Sequence, residues 1–164
     1  MATIGHAAIA LIAGFQWKLG RLALGVMLLF TFLPDVDVAI SFLLTGSLFA
    51  MHRGFTHSLL FACIPLAIWV FARRYELLWG FAGAISHVLI DVLDSHGGPL
   101  LWPLSNQMFG LDLWSSTSIR DISVQGILSP DRFISDKLLL LLLIVYLIYY
   151  FGARWYRGSL KRGR

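Results

Sequence analysis

The sequence predicts an all-α integral membrane bundle of short transmembrane and re-entrant or interfacial helices. Of its 164 residues, 58% are apolar and 13% charged, and the mean hydropathy is +0.76. That is outside the range of soluble globular domains, so lipid is the solvent for most of the chain. The apolar residues fall into separate stretches, most of them shorter than the roughly 20 residues of a full span. The basic residues gather in short clusters beside those stretches, where they act as topology signals. A net charge of +4 distributed in this way argues against direct nucleic-acid binding.

A single membrane domain over residues 1–164 is expected, because spanning helices need no large soluble core. The apolar stretches are Ile4–Phe15, Leu22–Leu33, Val38–Met51, Leu59–Ala72 with Leu77–Leu93 close behind, and Leu138–Phe151. Local chemistry sets their limits. Pro34 ends the second, Thr56 or Ser58 caps the fourth, Gly97-Gly98-Pro99 stops the fifth and Ser135 caps the last. Between Pro99 and Asp136, Trp102, Phe109, Trp114 and Phe133 stand among polar residues, the composition of a segment resting at the membrane interface or over a bundle mouth. The N-terminus lacks the basic region of a secretory signal and is expected to remain as mature structure. Cys63 is the one cysteine, which excludes an intrachain disulfide and a cysteine zinc cluster.

Orientation follows from charge. Alternation of the stretches allows Lys18, Arg21, Arg73, Arg74, Arg154, Arg157, Lys161, Arg162 and Arg164 to share one side, nine of the thirteen basic residues. The other side then holds Asp35, Asp37, Asp91, Asp94, Asp112, Asp121, Asp131 and Asp136, leaving Glu76 as the sole acid among the basic loops. The positive-inside rule makes the basic side cytoplasmic, with a basic tail over residues 152–164. His6, Asp35, Asp37, His52, His57, His87 and Asp91 all fall toward the opposite, extracytoplasmic face.

These residues carry the chemistry. In Ser86-His87-Val-Leu-Ile-Asp91, a spacing of four puts His87 and Asp91 on one helix face, about one turn apart. Ionisable groups inside a span are expensive and usually functional. In His52-Arg53-Gly54-Phe55-Thr56-His57-Ser58, Gly54 can turn the chain so that both imidazoles aim at one place. Arg53 beside them suits a phosphate or carboxylate, because a guanidinium donates two parallel hydrogen bonds. Asp35 and Asp37 follow a helix-breaking proline, where irregular backbone can aim both carboxylates inward, and His6 completes the set. Histidines mixed with aspartates favour zinc, manganese or iron over magnesium or calcium. Seven candidates exceed one open tetrahedral site, so one or two divalent ions are expected, with some residues serving behind the ligands or as general base.

The ordered set His6, Pro34-Asp35-Val36-Asp37, His52-Arg53-Gly54-Phe55-Thr56-His57-Ser58, His87-x-x-x-Asp91 and Gly98-Pro99-Leu-Leu-Trp102-Pro103 resembles the YdjM-like family of bacterial and archaeal membrane proteins. That family is described as LexA-binding, inner-membrane-associated, metal-dependent hydrolases. The resemblance covers most of the chain and implies a membrane-bound, phospholipase-like hydrolase. The LexA association in the family's name points to DNA-damage-linked expression rather than to catalysis. His96 falls where relatives are expected to carry a less chemical residue.

The expected activity is hydrolysis of a phosphoester of a lipid or lipid-linked substrate by metal-activated water, in the bacterial or archaeal inner membrane. His6, Asp35, Asp37, His52, His57, His87 and Asp91 are the metal-ligand candidates. Arg53 and Asp94 are the catalytic candidates, Asp94 as a base or as a partner standing behind the ligands, with Arg53, Thr56 and Ser58 toward substrate and Thr56 or Ser58 also able to cap a helix. No His-Glu-x-x-His helix is present, which disfavours a zinc peptidase. A metal-ion carrier or sensor, or a scaffold with a structural metal, would use the same residues.

Overall fold

Pro34 interrupts its helix without ending it. The proline has no N–H and so breaks the α ladder, but the chain needs only one 3-10 turn, Leu33–Asp35, before the next helix begins at Val36. Two stretches expected to be separate thus form one apolar helical run. The structure is a computed structural model that describes residues 5–47, 50, 52–113 and 134–162. Its helices are α1 (His6–Gln16), α2 (Arg21–Phe32), α3 (Val36–Thr45), α4 (Leu59–Ala62), α5 (Ile64–Ala72), α6 (Glu76–Leu93) and α7 (Ile134–Arg162). A second 3-10 turn, Phe55–His57, precedes α4. Among the described residues there is no strand, only an isolated bridge between Gly98 and Phe109.

Among the described residues, three helical runs are long and apolar enough to cross a membrane: Arg21–Thr45 with 25 residues, Glu76–Leu93 with 18 and Lys137–Arg157 with 21. At 1.5 Å per residue the shortest is about 27 Å long, close to the roughly 30 Å of a hydrocarbon core. The apolar helices His6–Gln16 and Leu59–Ala72 are shorter, matching the short elements expected. Pro65, in the first turn of α5, accounts for the break between α4 and α5. Ser58 caps α4 by accepting from the Phe61 amide at 3.2 Å. Two boundaries differ from expectation. The α6 helix stops at Leu93, before the glycines, and Ser135 lies inside the first turn of α7. Residues 152–162 continue α7, so most of the expected tail is helical. Met51, Trp114, Asp121, Asp131, Phe133 and Arg164, and with them most of the expected interfacial segment, lie outside the described residues.

The bundle is organised by α2 against α6. Small residues let the two backbones approach, as in other membrane helix pairs. A Cβ on Gly83 would collide with the Met27 carbonyl oxygen, and one on Gly80 would come within 2.8 Å of the Phe30 ring. Phe30, Ala62, Ala84 and Val88 form one buried cluster; Ala10, Ala13 and Met27 form another against α1. Helix α7 packs on α1 through Leu139 beside Ala8 and through Tyr146, which donates to Gln16 Oε1 at 2.9 Å. Trp17 meets Trp79 with ring centroids 5.5 Å apart, which joins the C-terminal end of α1 to the N-terminal end of α6.

Gly83→Ala is therefore expected to force α2 and α6 apart and to destabilise the fold by about 1–3 kcal/mol. Gly25 in the same bundle has nothing within 4 Å of an added Cβ, so Gly25→Ala should be neutral or stabilising by up to about 1 kcal/mol. Thermal unfolding in detergent compares the two, and equal midpoints would deny the close approach.

Candidate metal centre

Helices α1, α2, α3, α4 and α6 bring polar residues to the same end of the bundle. His6 opens α1, Asp35 closes the turn after α2, Asp37 begins α3, His57 ends the turn before α4, and His87 and Asp91 occupy the last two turns of α6. Lys18, Arg21, Arg73 and Arg74 lie at the other ends of these helices. His6, His57 and His87 are almost wholly enclosed, at 1% exposure or less.

Four side-chain atoms converge without hydrogen-bond geometry. His57 Nε2 and His87 Nε2 lie 3.4 and 3.3 Å from Asp91 Oδ2, and 3.6 and 3.7 Å from Asp35 Oδ1. His57 Nε2, His87 Nε2 and Asp91 Oδ2 are buried with no hydrogen-bond partner, an arrangement that polypeptides avoid unless something else satisfies it. A tetrahedral ion with bonds of about 2.0–2.1 Å spaces its ligand atoms about 3.3–3.4 Å apart, so the donors fit a metal.

The remaining ring nitrogens settle the tautomers. His87 Nδ1 is 2.8 Å from the Thr31 carbonyl oxygen, which only accepts, so Nδ1 carries the proton and Nε2 offers its lone pair. His57 Nδ1 is 3.0 Å from Thr56 Oγ1, and that hydroxyl donates in turn to Asp37 Oδ2 at 2.9 Å. His6 stacks on His87 with centroids 3.8 Å apart, and its Nε2 is 3.7 Å from Asp91 Oδ1.

Asp37 works one step behind these donors. It receives His52 Nδ1 at 2.8 Å, the Arg53 amide at 3.0 Å and the Thr56 hydroxyl. Asp35, Asp37, His52 and His57 form one group whose ligand atoms could hold an ion, and His6, His87 and Asp91 form another. All seven residues expected as ligands are thus adjacent, in a cluster that could take one ion or two. Arg53 is buried with φ of +62°. Its guanidinium donates to Asp94 Oδ2 at 2.6 Å and to the Gly97 carbonyl at 2.9 Å, and stands 3.6 Å from Asp91 Oδ1. A Cβ on Gly97, whose φ is +59°, would collide with the Phe109 carbonyl, so glycine is required where the Arg53 anchor turns.

Some expectations change at this level. Asp94 is held against Arg53, which makes it an anchor for that guanidinium rather than a free base. The Thr56 hydroxyl is engaged by Asp37 and His57, and the Ser58 hydroxyl donates to the Phe55 carbonyl at 2.6 Å while capping α4. Neither is a free donor toward a substrate. The side chain of His96 is 61% exposed and stays outside the cluster. The Thr31 and Gly97 carbonyls were not singled out from sequence. A lone polar residue three positions before Pro34 is the one signal for the first, and Gly97 reads only as part of a helix stop.

Asp91 and Asp94 lie beside the guanidinium of Arg53, and Asp35 and Asp37 lie beside the imidazoles, an excess of buried negative charge that demands cations. Burial opposes a charge on His57, but the neighbouring carboxylates of Asp35, Asp37 and Asp91 prevail and push its pKa up to about 9. Below that value the metal-free site holds a proton that an ion must displace. Divalent-ion affinity is therefore expected to fall about tenfold per pH unit as the pH drops below 9. Competition with a chromophoric chelator at a series of pH values measures the slope, and a flat profile would exclude the displaced proton.

Residues 1–159 match the model of the family described as YdjM inner membrane protein. The inner membrane protein YbcI of Escherichia coli (strain K12) is 37% identical over 127 residues, covering 65% of this chain and 69% of that protein. The uncharacterized protein YfhP of Bacillus subtilis (strain 168) is 28% identical over 89 residues, 49% of this chain and 27% of its own length. No solved structure matches.

Proposed function

Because the chain belongs to the YdjM inner membrane protein family, we propose that it works as a metal-dependent hydrolase of the inner membrane, cleaving a phosphoester of a lipid or lipid-linked substrate. One observation carries this reading: unpartnered donors on His57, His87 and Asp91 lie beside an anchored guanidinium, Arg53, that cannot itself bind metal. His57, His87 and Asp91 would hold the ion, with zinc favoured by two imidazoles and a carboxylate. A divalent ion held there supplies Lewis acidity and a water nucleophile at neutral pH.

The protein's own groups do the rest. Arg53 binds phosphoryl oxygens and offsets charge that grows on them. Asp94 and the Gly97 carbonyl fix its plane. Asp37, through Thr56, keeps the His57 Nδ1–H in place so that Nε2 remains a ligand. Asp35, with its side chain 14% exposed against 5% or less for the other three donors, occupies the loosest position and is the one a substrate would displace.

A second reading follows from Asp35. If its carboxylate stays bound, the shell is closed, as in structural zinc sites, and the protein is a scaffold. A metal carrier or sensor needs donors along a path to both faces, whereas these share one depth. Elemental analysis of the purified protein, combined with a screen of soluble and lipid phosphoesters, tests the proposal. Turnover requiring the bound metal supports it, and a metal-loaded protein inert toward every phosphoester would shift the reading to the scaffold.

The basic ends of the helices belong on the cytoplasmic side and the metal centre toward the extracytoplasmic face. A cysteine introduced near residue 157 should resist a membrane-impermeant thiol reagent in intact cells, while one replacing exposed Leu104 should react. The reverse pattern would invert the topology.

A further inference from the structure

Beside the turn that carries His57 lies an apolar groove of about 420 Å³, a size typical of small-molecule sites. Phe55 and Trp102 line it with ring centroids 5.4 Å apart, and Phe55 meets Phe61 edge to face at 5.8 Å. Leu60, Cys63, Ile64 and Ala67 also line it. Their spacing of three, four and seven residues places them in one stripe along α4 and α5, about 10 Å long at helical rise. The stripe begins at the end of the bundle where the metal donors gather and runs toward the basic end. Phe55 is 50% and Leu60 56% exposed, so the groove opens to the surface that faces lipid. Tryptophan settles at headgroup level, which is where Trp102 would set the mouth.

We infer that this groove seats one hydrocarbon chain of a phosphate-bearing amphiphile whose headgroup lies at Arg53 and the metal donors. Two features of opposite chemistry adjoin at the same depth: an apolar channel directed into the hydrocarbon, and a buried guanidinium with bare metal ligands. A single molecule that is apolar at one end and anionic at the other satisfies both. Phe55 belongs to both features, since it shares the turn Phe55–His57 with a metal donor and follows Arg53 by two residues. The inference deepens the hydrolase reading by naming how the substrate is held. The groove itself does not depend on turnover.

Cys63 gives a direct test, because it is the one cysteine of the chain, is exposed, and lines the groove. Modification by N-ethylmaleimide is followed by intact mass on the metal-loaded full chain in a bulky steroid detergent. Dodecyl phosphate at ten times its Kd should slow the reaction about tenfold, since protection scales as 1 + [L]/Kd. Dodecanol and inorganic phosphate at the same concentration should leave the rate within about twofold. Equal protection by dodecanol would reduce the groove to an ordinary lipid-facing surface, and absence of protection would remove the chain site. A disulfide-linked dimer through Cys63 under mild oxidation would assign the groove to a second copy instead and overturn the inference. Turnover of a soluble, chainless phosphoester is measured on the same preparations. Turnover without protection defeats the groove and leaves the hydrolase reading standing. Protection without turnover defeats the hydrolase reading and leaves the groove.

Discussion

His87→Ala is expected to strip the site of metal while the bundle stays inserted. His87 contributes Nε2 at 3.3 Å from Asp91 Oδ2, and the Thr31 carbonyl holds it in the ligating tautomer. Removing an outer partner of a metal ligand typically lowers affinity on the order of 10–100-fold, so loss of a ligand should exceed that. Asp91→Ala should behave alike, because its carboxylate is shared by His6, His57 and His87. Insertion should survive both changes, since α6 retains its apolar length and its glycine contact with α2. The cost in stability is that of a lost buried hydrogen bond and a small cavity, about 2–4 kcal/mol. Elemental analysis beside circular dichroism separates the two effects. Full metal occupancy in both variants would overturn the ligand assignment.

Arg53→Ala is expected to lower turnover of a phosphoester on the order of 10²–10³, the usual consequence of losing one contact to a developing oxyanion. Metal content should be unchanged, because a guanidinium is no ligand. The geometry adds a complication: removing Arg53 leaves Asp94, 1% exposed, without its counter-charge, and an uncompensated buried carboxylate is strongly destabilising. Arg53→Lys keeps the charge and loses the fork, so it should fall between wild type and Arg53→Ala in turnover. The double variant Arg53→Ala with Asp94→Ala removes the orphaned charge and should recover stability without recovering turnover. Equal turnover in wild type and Arg53→Ala would take Arg53 out of the chemistry.

The membrane class, the helical fold and the family were all legible in the chain itself. Hydropathy depends on composition, and the positions of His6, Asp35, His57, His87 and Asp91 at helix ends follow from stretch lengths and alternation alone. The i, i+4 relation of His87 and Asp91 needs nothing beyond helical geometry. The helical boundaries were less secure. Pro34 and Pro65 each remove one hydrogen bond, and whether that ends a helix or only loosens a turn depends on what packs around it.

Which residues face the metal and which stand behind it was decided by tertiary structure alone. Asp35 and Asp37 are two residues apart in one sequence motif, yet the turn at Leu33–Asp35 sends Asp35 to the imidazoles and Asp37 to His52, the Arg53 amide and Thr56. Arg53 and Asp94 are 41 residues apart, with no local signal that one anchors the other. The close approach of α2 and α6 at Gly83 brings the Thr31 carbonyl to His87 and so selects its tautomer. Local sequence determines the chemistry each side chain carries and its depth in the bilayer. Its partners are set by contacts between helices, through hydrogen bonds that reach only about 3 Å and form only after the bundle has packed.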